Sequence, residues 1–90
     1  MMTKIFSVYD SKAKCYATPF HMKTVAQALR SWQTIVNDPK TQFCEYPEDF
    51  TLYEIGEFSE LTGTFENLKK PNNLGLASNF KKDVQATTIQ

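Results

Sequence analysis

The sequence is poor in reactive side chains. Its 90 residues hold one histidine, two cysteines and three glycines. A structural zinc site asks for about four ligands at close spacing. Cys15 and Cys44 form no CxxC pair, and His21 is adjacent to neither. With so few glycines there is no phosphate-cradling loop, and no GxSxG elbow occurs. No apolar run approaches the ~20 residues that a membrane-spanning helix needs. Residues 41–66 contain no Lys, Arg or His at all.

These absences weigh against catalysis. Glu54 with Glu57, or Glu48 with Asp49, could be read as carboxylate pairs, but acids at such spacings are usually solvated surface. Cys44 would need a base to act as a nucleophile, and His21 is the one candidate. Unpaired cysteines are more often buried and inert. The chain is therefore expected to be non-catalytic, with no metal and no cofactor. The start, "MMTKIFSVYD", lacks the layout of a signal peptide, since it has one Lys, a short apolar run and no small-residue cleavage site. Two free thiols fit a reducing compartment. A soluble, intracellular protein is expected.

What is present is aromatic and unevenly charged. Seven Phe, four Tyr and one Trp can build a core without disulfides. The net charge of zero conceals three blocks. Residues 1–40 sum to +4, residues 41–66 to −7 and residues 67–90 to +3. Such asymmetry either marks a polyanion-binding face or is neutralised within the fold or across a dimer.

The patterning predicts an α+β domain. "TKIFSVYD" and "CYATPF" read as a β-hairpin over residues 4–20, with Pro19 at an edge or strand end. "KTVAQALRSWQTIVND" reads as a helix. Thr24 and Gln27 have capping-box spacing, and Val25, Ala28, Leu29, Trp32, Ile35 and Val36 share one face. That assigns Trp32 to the core. "PKTQFCEYPED" reads as a loop. In "FTLYEIGEF", strict alternation puts Leu52, Glu54, Gly56 and Phe58 on one face and Thr51, Tyr53, Ile55 and Glu57 on the other. "SELTG" is a turn and "TFENL" pairs back. The order is ββαββ, an antiparallel sheet with one helix on one face, over residues 1–68. Residues 69–90 read as an irregular tail, flexible or docked on a partner through Leu74, Leu76 and Phe80.

The first hairpin interleaves Lys4, Lys12 and Lys14 with Tyr9 and Tyr16. Cations beside rings suit single-stranded nucleic acid, where lysines hold phosphates and rings stack on bases. Read blandly, the same tyrosines are cross-strand packing and the lysines a solvated edge. The candidate contact set is Lys4, Lys12, Lys14, Tyr16, Lys23 and Arg30, assisted by Lys69, Lys70, Lys81 and Lys82. Tyr53, Ile55 and Phe58 read as sheet packing, and the acids around them would repel phosphate. Nucleic acid is thus expected away from residues 43–58.

"KIFSVYDSKAKCYATPF", "AQALRSW" and "YPEDFTLYEIGEFSELTGTF", in that order and spacing, resemble the small nonstructural protein of gokushoviruses, microviruses with circular single-stranded DNA genomes. The resemblance covers residues 4–66, with a looser echo in "LASNF". It implies a DNA-binding protein of the bacterial host cytoplasm, acting in the switch from duplex replication to single-strand synthesis and packaging. It identifies no catalytic residue. The expected partners are single-stranded DNA, bound weakly, and further copies of the chain as a homodimer or larger assembly. The alternative is an interaction module for viral replication or capsid proteins, or a host factor, with no direct DNA contact.

Overall fold

The computed structural model describes residues 1–82. Strand β1 (Met2–Asp10) leads through a tight turn to β2 (Cys15–Tyr16) and β3 (Phe20–Met22). Helix α1 (Val25–Val36) follows, then a single helical turn α2 (Gln42–Glu45) and a 3-10 turn (Pro47–Asp49). Two long strands, β4 (Phe50–Ser59) and β5 (Thr64–Leu76), lead into a last 3-10 turn (Ala77–Phe80). The fold is α+β, with one main helix on a curled antiparallel sheet. The strands lie in the order β2-β1-β4-β5, and β3 shares the β2 edge of β1.

The first hairpin forms where its residues predict, with one interruption. Asp10 shapes the turn, its Oδ1 accepting from the backbone N–H groups of Lys12 and Ala13 at 2.9 and 3.2 Å. Lys14 takes φ 59°, a left-handed conformation that costs a side-chain-bearing residue. Pro19 falls in the break between β2 and β3, where no ladder hydrogen bond is required of it.

Helix α1 is capped by Thr24, whose hydroxyl accepts from Gln27 N–H at 3.1 Å. The Gln27 side chain accepts from Lys23 N–H at 3.2 Å, one residue earlier than a capping box requires. Ala28, Trp32 and Val36 point inward and meet Phe6, Val8, Phe50 and Leu52 of the sheet. Phe43 of α2 closes one end of this core, 5.4 Å from Trp32 and 4.9 Å from Phe50 between ring centroids. The stretch read as a loop thus holds a helical turn because Thr41 caps it, accepting from Cys44 N–H at 3.2 Å.

The C-terminal third departs from expectation. β5 runs straight through the boundary placed at residue 68 and ends at Leu76. Ala77 is fully buried, and Leu74 and Phe80 pack against the helix-side core. Residues 69–82 therefore belong to the domain rather than to a tail, and their apolar cluster is satisfied in cis. Hydrogen bonds to α1 and its C-cap help to anchor them. Trp32 Nε1 donates to Gly75 O (3.3 Å), Asn37 Nδ2 to Phe80 O (3.0 Å), and Lys82 N–H to Asn37 Oδ1 (2.8 Å). Residues 83–90 of the expected tail lie outside the described residues.

Candidate nucleic-acid interface

The faces of the sheet are sorted by a β-bulge in β4. Ile5 and Phe6 are consecutive in β1, yet they pair with Gly56 and Glu54, so Ile55 is extra. A single extra residue reverses the facing of everything beyond it. Lys4 shows the reversal directly. Its ammonium lies 3.4 Å from Glu54 Oε2 and 3.2 Å from Glu57 Oε2, so two residues of opposite parity share the helix-bearing face. The expected alternation holds up to Glu54 and inverts after it. Gly56 and Phe58 leave the side of Leu52 and Glu54 for the side of Tyr53.

The helix-free face is consequently a surface of rings. Tyr9 pairs with Tyr16 across the strands, with centroids 4.9 Å apart. Tyr53 stands edge-on to both, at 6.4 Å from Tyr9 and 5.6 Å from Tyr16. Farther along, Phe58 contacts His21 at 5.9 Å and Phe65 at 5.0 Å. His21 also shares a 3.4 Å contact between Nδ1 and Thr3 Oγ1. Between the two groups lie Ile5 and Ser7, both buried, with Ser7 Oγ donating to Ala17 O at 2.6 Å. Tyr16 is 46% exposed and Phe65 62% exposed.

No carboxylate shares that face along the strands. Glu54, Glu57 and Glu66 fall on the other side, since Glu66 pairs with Glu57. Asp10 turns its carboxylate to the hairpin backbone. The acidic stretch therefore contributes rings to one face and acids to the other. Tyr53 and Phe58 pack across the sheet as expected, and the bulge brings Phe58 to the side of Tyr53 and the hairpin tyrosines.

The ten candidate contact residues do not form one surface. Lys12 and Lys14 are exposed in the turn beside Tyr16. Lys69 and Lys70 are exposed where β5 swells out, between its pairings at Asn67 and Asn72. Lys4 is held by Glu54 and Glu57, and the hydrogen bond to Glu57 does most to raise its pKa above the ordinary lysine value. Lys23 and Arg30 are exposed but belong to the helix layer, on the other side of the sheet. Lys81 donates to Cys44 O and Sγ at 3.3 and 3.1 Å. Lys82 sits at the end of α1, where Asn37 takes its N–H. Cys44 and His21 lie in different places, one under Lys81 and the other against Phe58.

Tyr53, His21, Phe58 and Phe65 are the ring-face residues that sequence reasoning left out. The pairing of Tyr9 with Tyr16 was visible in the hairpin spacing. Phe58 was not, because nothing in "LYEIGEF" announces a bulge. The Phage ORF5 protein family matches residues 3–80, and the chain belongs to that family. Neither a curated protein nor a solved structure matches it.

Proposed function

We propose that this phage protein is a non-catalytic gokushovirus nonstructural protein that binds single-stranded DNA through the helix-free face of its sheet. It would act in genome replication or in the switch to single-strand synthesis and packaging. The observation that carries this reading is a face of six rings with no carboxylate among the described residues, flanked by Lys12 and Lys14 at one end and Lys69 and Lys70 along β5. Rings stack on unpaired bases of any sequence, at ~1–3 kcal/mol per base. The resemblance to gokushovirus proteins and the membership of a phage family support the same reading.

The contact set proposed here keeps Tyr16 and those four lysines from the sequence reading and adds Tyr9, Tyr53, Phe58 and Phe65. Lys4 is left out because its charge is engaged by carboxylates. Fluorescence anisotropy with labelled single-stranded and duplex DNA tests the proposal. Four lysines, each releasing one counterion, give a log–log salt slope of about −3 on single strands. Tyr16→Ala should weaken binding roughly tenfold. Equal affinity for duplex and single strands, or no loss on Tyr16→Ala, would sink it. Absence of binding even at low salt would shift the reading to a protein-interaction module.

A further inference from the structure

An apolar groove of about 430 Å³ opens on the helix side of the domain. Val8, Phe20, Met22, Trp32, Ile35 and Phe43 line it, and Ile35 remains 36% exposed at its mouth. The groove is independent of the ring face, which lies across the sheet. At the opposite end of the domain, the β4–β5 turn carries Leu61, 83% exposed, beside Met2 of β1, 43% exposed. An apolar knob and an apolar hollow thus stand on one small domain, neither covered by the described residues.

The knob cannot reach its own groove. Phe50, the first residue of β4, touches Phe43 in the groove wall. Leu61 lies beyond the other end of that strand, and ten strand residues span about 33 Å. The molecule is correspondingly long. Its extents are 54 × 27 × 20 Å and its radius of gyration is 14.7 Å, against ~12 Å for a compact chain of this length. Charge favours the same meeting. The segment that builds the groove, residues 8–43, has five cations and two acids, whereas residues 57–66 of the arm have three acids and no cation, and of those acids only Glu57 is paired, with Lys4, among the described residues. Pairing of β5 edges is disfavoured instead, since Lys69, Lys70 and Pro71 occupy its bulged, exposed stretch.

We infer that the chain pairs with a second copy by exchanging arms, the Leu61 turn of each copy seating in the Ile35–Phe43 groove of the other. Two-fold closure uses both contacts and leaves no open end. Leu61→Glu removes the knob, and at 83% exposure it cannot disturb the core. Ile35→Glu blocks the groove. Light scattering coupled to size exclusion should show wild type as a dimer and each variant as a monomer at the same concentration, with association weakened at least ~10-fold. Mixing the two variants should give association stronger than either variant alone though weaker than wild type, because the intact Leu61 arm of the Ile35→Glu chain meets the intact groove of the Leu61→Glu chain while the other contact stays broken. A monomeric wild type overturns the inference. So does a Leu61→Glu chain that still dimerises, or a mixture that associates no more strongly than either variant alone while circular dichroism shows both variants folded. Loss of the dimer on Ile35→Glu alone would point to a different occupant of the groove.

Discussion

Replacing Gly75 by alanine would drive a methyl group into the ring of Phe80. A Cβ built at this position meets Cε1 and Cζ of that ring, the latter at 3.0 Å. The backbone there has φ 143°, a conformation that L side chains rarely adopt. Neither cost can be relieved easily. Phe80 packs on the core, its carbonyl accepts from Asn37, and the Gly75 carbonyl accepts from Trp32 Nε1. Overpacking costs ~1–3 kcal/mol and a strained φ a similar amount, so about 3 kcal/mol is expected in all. For a domain of this size that lowers Tm by roughly 15 °C. Thermal unfolding followed by far-UV circular dichroism measures it. Phe80→Ala in the same chain removes the clash and leaves the φ cost. The double variant should therefore be more stable than the sum of the single effects by about 1 kcal/mol or more. A Gly75→Ala protein melting within about 2 °C of wild type would refute the reasoning, because only a loosely held β5 would tolerate the methyl.

Lys14→Gly should be stabilising. A left-handed residue with a Cβ costs ~1–2 kcal/mol and glycine's chain entropy returns ~0.5–1, which leaves a net gain of about 0.5 kcal/mol. It should appear as a higher urea midpoint at unchanged m-value, and a lower midpoint would contradict the turn geometry. Lys4 makes a pH-dependent contribution. Its pKa is raised in the folded state, chiefly by Glu57, so its stabilisation is complete below the ordinary value of 10.5 and fades as pH rises through the folded value. The pair is partly exposed, so Lys4→Met should cost under about 1 kcal/mol at neutral pH. The gap between variant and wild type should shrink in strongly alkaline solution, and a gap that widens there would overturn the sign.

The helix and the sheet class were legible because they rest on local signals. The Thr24 cap, the stripe ending at Val36 and the alternation from Phe50 to Glu54 all mean what they say. Trp32 lies in the core because its face of α1 meets the sheet, and its 3% exposure agrees with the stripe. The C-terminal third was hidden because its packing is set by tertiary contacts. "KKPNNLGLASNF" is rich in Pro, Asn and Gly, all poor strand formers, and its stretch 69–73 is exposed throughout. It is held as a strand by pairing with β4 and by Trp32, Asn37 and the core beneath Ala77. None of these is adjacent in sequence. The candidate site was half legible for the same reason. Lys12, Lys14 and Tyr16 form one local hairpin. Lys4 belongs to the same hairpin, but carboxylates of β4, distant in sequence, engage it, whereas Lys23, Arg30, Lys81 and Lys82 were grouped by sign of charge alone, and the fold separates them.

The bulge at Ile55 explains how one acidic, aromatic strand can present a face of rings without carboxylates. With unbroken alternation after Glu54, Glu57 would stand on the side of Tyr53 and Phe58 on the side of Lys4. A carboxylate would then lie among the rings, where it would repel phosphate across a distance well inside the ~10 Å screening length at moderate salt. Lys4 would lose its nearer partner, which contributes most to its raised pKa. The extra residue corrects both at once, and close approach of β5 fixes its position. A Cβ on Gly56 would lie 2.6 Å from Glu66 O, so the strands can meet just past the bulge only with glycine there. The sorting of rings from acids therefore depends on two adjacent residues, Ile55 and Gly56, neither of which carries a ring or a charge.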